Sequence, residues 1–169
     1  LREVYQVARA WNTPDDAALQ RRFERVKAKL YGYQAEPTRT LQRFPETRSD
    51  IPARYARAYA YHKNALVDKA LVEADALIAI DPVDPYFLEL KGQVLLESGR
   101  PVDALEPLRK ATEITLSEPL IAAMFGHALI ATEDKVHFAE AEQVLRAAVA
   151  RDRYNPFAWY QLGVVYAAK

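Results

Sequence analysis

The chain has 169 residues, enough to bury a hydrophobic core in one domain or one short solenoid. Half of the residues are hydrophobic and 27% are charged, a composition that excludes a disordered or low-complexity protein. Lys plus Arg and Asp plus Glu both number 23, so the formal net charge is zero. This balance argues against a general nucleic-acid binder, because such a protein needs a basic excess to displace counterions.

Two absences in the sequence narrow the chemistry further. The chain contains no Cys, which excludes disulfides, thiol catalysis and thiolate metal sites. No apolar run approaches the roughly 18 residues of a membrane-spanning helix, so we expect no membrane span. The chain starts at Leu1 and its single Met is Met124, from which we expect a processed or excised piece of a longer protein.

Helix start and stop signals recur along the chain and predict an all-α protein. Thr13-Pro14-Asp15-Asp16 combines an N-cap, a first-turn Pro and a capping acid, and Asp84-Pro85 and Asn155-Pro156 repeat the cap-then-Pro pair. Gly99-Arg100-Pro101 is typical of one helix ending and the next beginning. No stretch alternates convincingly with period two, so no sheet is expected. The predicted helices span about 2–10, 14–33, 37–44, 51–63, 66–79, 85–98, 101–114, 118–131, 136–151 and 156–168.

A period of 34 residues recurs in the chain from about residue 46 onward. Ala58, Gly92 and Gly126 are spaced by that period, and Gly163 follows after 37 residues, one period plus a three-residue insertion. A small residue on a first helix lets a second helix approach closely, and one such hairpin cannot bury its apolar face alone. The same spacing recurs in three further sets of positions. One set lies three residues after the small residue, and the other two lie on the second helix: Tyr61, Leu95, Leu129, Tyr166; Ala70, Ala104, Ala141; Ala74, Leu108, Leu145.

This pattern resembles the tetratricopeptide repeat (TPR), whose W-x2-L-G-x2-Y start matches Trp159, Leu162, Gly163 and Tyr166. The expected fold is therefore an antiparallel helical-hairpin solenoid, a TPR-like superhelix, with a non-repeating helical bundle as the alternative. The predicted organisation is one solenoid domain. It comprises a degenerate N-terminal helical unit over 1–45 and repeats over 46–169, at about 51–84, 85–118, 119–155 and, as a partial unit, 156–169. Since 156–168 is a first helix without a second, we expect further chain or a neighbour to cover it.

Longer phrases are similar to one particular setting of this repeat, from about Pro14 to Lys169. The most specific is Pro85-Tyr86-Phe87-x-Glu89-Leu90-Lys91-Gly92-Gln93, and the others lie at 22–33, 51–58, 95–101 and 155–162. They resemble the C-terminal TPR region of bacterial HtpX-like or CAAX-protease-like zinc metallopeptidases. The resemblance implies a periplasmic location and a role beside a protease domain, in some members in outer-membrane protein quality control.

The catalysis of that family needs a HExxH helix, in which two His bind zinc and the Glu polarises the bound water. The only His residues are His62, His127 and His137, and none lies in such a motif. No catalytic residue, metal ligand or cofactor is therefore assigned to this chain, and zinc is expected only in a protease domain preceding Leu1. A Gly-rich phosphate loop and a Ser elbow are also absent from the sequence.

A TPR solenoid presents its first helices on the concave face, at offsets −6, −3, +1 and +4 from the small residue. Tyr is common at these positions and formal charges are few, and the Lys, Arg and Asn that would clamp a C-terminal carboxylate are absent. Tyr offers apolar area with a hydrogen-bonding tip, which favours an apolar or extended polypeptide over an acidic tail. Packing between repeats, or cover by another domain, is the alternative. The candidate peptide-binding groove residues are Tyr55, Tyr59, His62, Tyr86, Glu89, Gln93, His127, Phe157 and Tyr160.

Three functions are compatible with these sequence features to different degrees. The first is a non-catalytic protein-interaction module of a periplasmic zinc metallopeptidase, which recruits polypeptide substrate or an outer-membrane assembly partner, or covers its own protease domain. The second is a free-standing TPR adaptor or scaffold without a protease. The third, a hydrolase site within the chain itself, is disfavoured because no motif supports it.

Overall fold

The computed structural model describes residues 37–115 and 118–168, and within these ranges every regular element is helical. This confirms the all-α prediction for the described part of the chain. The predicted helices at 2–10 and 14–33 lie outside the described residues. The elements are α1 Pro37–Arg43, α2 Ile51–Lys63, α3 Val67–Ile80, α4 Pro85–Glu97, α5 Pro101–Ile114, α6 Pro119–Ala131, a 3-10 helix Lys135–His137, α7 Phe138–Arg151 and α8 Pro156–Ala167.

The two cap-then-Pro pairs of the described residues start helices as predicted, whereas Thr13-Pro14 lies outside those residues. The Asp84 carboxylate accepts a hydrogen bond from the Tyr86 N–H at 2.9 Å at the start of α4, and Asn155 accepts from the Ala158 N–H at 3.1 Å at the start of α8. Asp50 caps α2 in the same way, through the Ala53 N–H at 3.2 Å. Each cap satisfies a backbone donor that the first helical turn leaves without an intrahelical partner, which fixes where the helix begins.

The three-residue insertion of the third repeat forms the short 3-10 helix Lys135–His137. Asp134 caps it by accepting from the Val136 N–H at 3.0 Å. The sequence prediction started the following helix at about 136, but α7 begins at Phe138 because the insertion closes its own tighter turn first.

The chain divides into two compact units, Leu1–Leu77 and Ile78–Lys169. The prediction of one solenoid domain over 1–169 stays a prediction. In the first unit α1 packs against α2, and a buried ion pair connects α2 to α3. The Arg57 side chain, 1% exposed, donates from Nε to Glu73 Oε1 at 2.6 Å, and from Nη1 to the carbonyls of Pro45 and Arg48 at 2.9 and 2.7 Å. Arg57 thereby holds the polar 45–48 segment against α2.

The second unit is built from two helical hairpins followed by α8. Helix α4 pairs with α5 and α6 with α7, while α8 packs against α6 and α7. Leu108 of α5 lies against Gly92 of α4, and Leu145 of α7 lies against Gly126 of α6, so these two predicted small residues are points of close contact between paired helices. Leu88, Ala111 and Ile121 form a buried cluster that joins the two hairpins.

None of the helices in the ranges 37–115 and 118–168 combines the length and the apolar character that a membrane span requires.

Candidate binding surface

The predicted groove residues of the first unit are mostly interior. Tyr55 and Tyr59 are 0% and 1% exposed, and their rings meet edge to face with centroids 5.4 Å apart. Only His62 of this group is half-buried rather than buried. Tyr55 and Tyr59 lie three residues before and one residue after Ala58. Their burial agrees with packing between repeats, the alternative to ligand binding at these positions, because a ring without accessible area cannot contact a ligand.

On α4 the predicted residues also divide between interior and surface. Glu89 is 2% and Gln93 8% exposed, whereas Tyr86 is half-buried. The Tyr86 hydroxyl donates a hydrogen bond to Glu118 Oε1 at 3.0 Å. The Gln93 amide donates to Glu97 Oε1 at 2.7 Å. The polar tips of Tyr86 and Gln93 therefore each have a carboxylate beside them.

Helices α6 and α8 bring two of the predicted residues into direct contact. The His127 and Phe157 rings meet edge to face, with centroids 5.6 Å apart, and both side chains are half-buried. Burial lowers the pKa of His127 below its usual range, and the nearby Glu97 carboxylate opposes that shift. Tyr160, also on α8, is 69% exposed. At neutral pH this part of the surface presents an uncharged imidazole and two aromatic rings.

These observations define the first-helix surface of the second unit: Tyr86, Glu97, His127, Phe157 and Tyr160. Its aromatic rings can bury apolar side chains, and the imidazole and hydroxyls can pair with the backbone of an extended peptide. The formal charges described beside it, Glu97 and Glu118, are negative. A cationic or neutral ligand is favoured there, since an acidic one would meet like charge.

Sequence reasoning missed two acidic residues at this surface. Glu97 lies five positions after Gly92, outside the four offsets, and Glu118 lies in the linker before α6. Glu97 had one usable signal, since it follows Gln93 by one helical turn and such pairs are neighbours on a helix. No sequence signal identified Glu118, because the residue that it contacts, Tyr86, is 32 positions away in the sequence.

Across the described ranges, the His, Asp and Glu side chains form no group of three or more arranged to hold a metal ion.

Several solved TPR structures are similar to this chain. YrrB, described as a TPR protein with an unusual peptide-binding site, matches with a TM-score of 0.66 and 23% identity, over 96% of this chain and 82% of its own. MamA MSR-1 C2 matches with a TM-score of 0.67 and 18% identity, over 88% and 83%. The first TPR of Spaghetti (RPAP3), bound to the HSP90 peptide SRMEEVD, matches with a TM-score of 0.61 and 17% identity, over 66% and 86%.

These likenesses show the TPR helical-solenoid fold, which replaces the alternative of a non-repeating bundle. Against two further MamA structures, this chain spans 59% and 64% of the length of those proteins. No protein-family model matches the sequence, and a search of curated proteins gives no match.

Proposed function

We propose that the chain is a polypeptide-binding module whose first-helix surface takes extended segments that are apolar and neutral or cationic. The observation that carries this proposal is the His127–Phe157 contact beside Glu97. It combines aromatic area, a neutral hydrogen-bonding ring and negative charge on one surface of the second unit. Aromatic rings supply large contact areas at a small cost in conformational entropy.

The same surface disfavours acidic peptide tails. The RPAP3 structure holds the acidic peptide SRMEEVD. Binding such a tail calls for cations, whereas the inward offsets of α4, α6 and α8 contain no Lys or Arg in this sequence. Glu97 and Glu118 would repel carboxylates that approached the surface.

The proposal also concerns the kind of protein to which this module belongs. The phrase around Tyr86 and Gly92 supports the TPR region of a periplasmic zinc metallopeptidase, where the surface recruits polypeptide substrate or an outer-membrane assembly partner, or packs on the protease domain. The TPR neighbours support equally a free-standing adaptor with no protease attached. Reading the gene upstream of the Leu1 codon separates the two, because only the first requires a HExxH-bearing domain there.

Fluorescence anisotropy with two labelled peptides tests the binding proposal. The probes are SRMEEVD and a decapeptide of alternating Leu and Ser with one Arg. We expect the second to bind and the first not to. Phe157→Ala is expected to weaken binding of the decapeptide by about fivefold or more, because an aromatic anchor at the centre of an interface contributes at least about 1 kcal/mol. Glu97→Lys is expected to weaken the decapeptide and to improve SRMEEVD.

Tyr154→Ala is the matched control, since Tyr154 is 87% exposed and lies in the loop before α8. It should leave both affinities unchanged. Circular dichroism of each variant shows whether the helices are intact. Tighter binding of SRMEEVD than of the decapeptide, or equal loss from Tyr154→Ala and Phe157→Ala, would contradict the proposal.

A further inference from the structure

One apolar position recurs with accessible area on the first helices α4, α6 and α8. Tyr86, Leu120 and Phe157 each lie six residues before the repeat glycine of their helix. Leu120 is 48% exposed, and Tyr86 and Phe157 are half-buried. These three residues, the anchor row, therefore offer a ligand one apolar side chain per repeat.

Packing between the first helices sets the spacing of the anchor row. Helix α6 packs against α4 and also against α8. The axes of packed helices lie about 8–10 Å apart, so equivalent positions on successive helices recur at about that interval. A ligand chain that contacts every anchor must return an apolar side chain to the same face at the same interval.

The backbone conformation of the ligand follows from this interval. A polyproline II chain has three residues per turn and rises about 3.1 Å per residue, so every third side chain returns to one face after about 9.3 Å. A β-strand returns every second side chain to one face after about 6.6 Å, which is shorter than the interval between anchors. A polyproline II segment with an apolar residue at every third position therefore matches the anchor row.

A polar group beside the anchor row suits such a backbone. A polyproline II chain makes no internal hydrogen bonds, so its carbonyls accept from water or from a binding partner. Tyr160 follows Phe157 by three residues on α8, which places the two side chains next to each other on the helix surface. The Tyr160 side chain is 69% exposed, and its hydroxyl can donate to a ligand carbonyl. Aromatic-lined grooves bind polyproline II segments through contacts of this kind.

A carboxylate lies beside each end of the anchor row. Glu118 Oε1 accepts a hydrogen bond from the Tyr86 hydroxyl at 3.0 Å. At the other end Phe157 contacts His127, whose pKa is lowered by burial and held up in part by the nearby Glu97 carboxylate. The ligand residues between anchors project away from the row. A basic residue next to the first or the last anchored side chain can therefore meet one of these carboxylates.

We propose that the first-helix surface binds polyproline II segments with an apolar residue at every third position and a basic residue beside the first and the last of these. This inference rests on the proposed function and narrows it, because extended segments with other spacings reach fewer anchors. Leu120, which is not among the candidate groove residues, becomes the middle anchor.

Three labelled nonapeptides of one composition (three Leu, two Arg, two Pro and two Ser) test the spacing. The first reads Leu-Arg-Pro-Leu-Ser-Pro-Leu-Arg-Ser and has Leu at every third position. The other two have Leu at every second and at every fourth position. In fluorescence anisotropy with the whole 169-residue chain, we expect the first to bind about fivefold more tightly than either of the others, because only its spacing fits the whole row.

Replacing both Pro of the first peptide by Ala tests the backbone conformation. Pro holds the free peptide in the polyproline II conformation, which reduces the entropy lost on binding, whereas Ala favours a helix. The Ala peptide should therefore bind less tightly than the Pro peptide. Tighter binding of the Ala peptide would indicate a helical ligand and would contradict the inference.

Leu120→Ala in the chain tests the middle anchor. It should weaken binding of the first peptide by about threefold or more and reduce its advantage over the other two. Val102→Ala is the matched control, because Val102 is 67% exposed and follows the helix-starting Pro101 of α5 as Leu120 follows Pro119 of α6. It should leave all affinities unchanged, and circular dichroism shows whether each variant keeps its helices.

The outcomes separate this inference from the proposed function. If the Leu–Ser decapeptide binds and the three nonapeptides bind equally, the spacing inference is wrong and the polypeptide-binding proposal stands. Equal losses from Leu120→Ala and Val102→Ala would likewise contradict the inference alone. If neither the decapeptide nor any nonapeptide binds, the proposed function fails, and the inference fails with it.

Discussion

The Leu108 side chain occupies the space where a β-carbon on Gly92 would stand, with Cδ2 2.7 Å from that position. Leu145 and Gly126 repeat the relationship one period later. The glycines at these two positions therefore matter for close approach between two helices and not for backbone freedom.

Gly92→Ala should destabilise the protein and Gly163→Ala should stabilise it. Both gain up to about 1 kcal/mol of helix propensity, but only the first creates an overlap, which costs about 1–3 kcal/mol. Urea unfolding of the two variants measures the difference. Leu108→Ala makes room for the new methyl group, so Gly92→Ala should cost less in that background. Equal effects of the two glycine changes would contradict the packing argument.

The small-residue positions could be predicted from sequence because the 34-residue period repeats them. The first-helix surface could be predicted only in part, because the offset rule places a side chain on a helix face without saying what lies against it. Tyr55 and Tyr160 both lie three residues before the small residue of their repeat, yet Tyr55 is 0% exposed and Tyr160 is 69% exposed. That difference depends on neighbours distant in sequence.

Arg57→Ala should be strongly destabilising, by about 3–5 kcal/mol, because it leaves the Glu73 carboxylate buried without its main partner. It also removes the donor to the Pro45 and Arg48 carbonyls. The double variant Arg57→Met with Glu73→Leu should recover much of the loss, because it removes both buried charges.

The control for the ion pair is the exposed pair Arg48–Asp50, whose side chains are 47% and 43% exposed. Arg48→Ala should change the free energy of unfolding by no more than about 1 kcal/mol. Denaturant unfolding gives both values. If Arg57→Ala lowers the free energy of unfolding as little as Arg48→Ala does, the buried pair does not stabilise the protein.

Asn155→Ala should cost about 0.5–2 kcal/mol through loss of the N-cap of α8. The Asn155 side chain is 7% exposed and accepts the Ala158 N–H at 3.1 Å. Asn155→Asp keeps an acceptor and should cost less than Asn155→Ala. Thermal unfolding followed by circular dichroism checks this order, and a reversed order would contradict a capping role.

Protonation of His127 should make the protein less stable as the pH falls below about 6.5, the ordinary pKa of a histidine in the unfolded chain. Burial lowers the pKa of His127, so the unfolded chain takes up its proton first as the pH drops through about 6.5. The stabilisation is present above that pH and is lost as the pH falls to the lower pKa of the folded state. Glu46, Asp50 and Glu106, whose pKa values are lowered, titrate below this window.

His127→Asn should therefore show a shallower loss over the same range, measured by urea unfolding at several pH values. His62→Asn tests whether the effect belongs to this imidazole or to histidines in general. Parallel pH profiles for the parent protein and His127→Asn would disprove the assignment.

The sequence by itself determined the helices of the described ranges to within two residues at each end, and the points where paired helices touch. Caps, prolines and the 34-residue period are local or periodic signals, so they can be recognised without knowledge of distant contacts. Only the tertiary structure decided which side chains reach the surface. Burial of Tyr55, the pairing of Arg109 with Glu140 and the exposure of Trp159 depend on which helix lies alongside. The repeat pattern records the position of a residue within a helix, whereas function depends on whether another helix covers it.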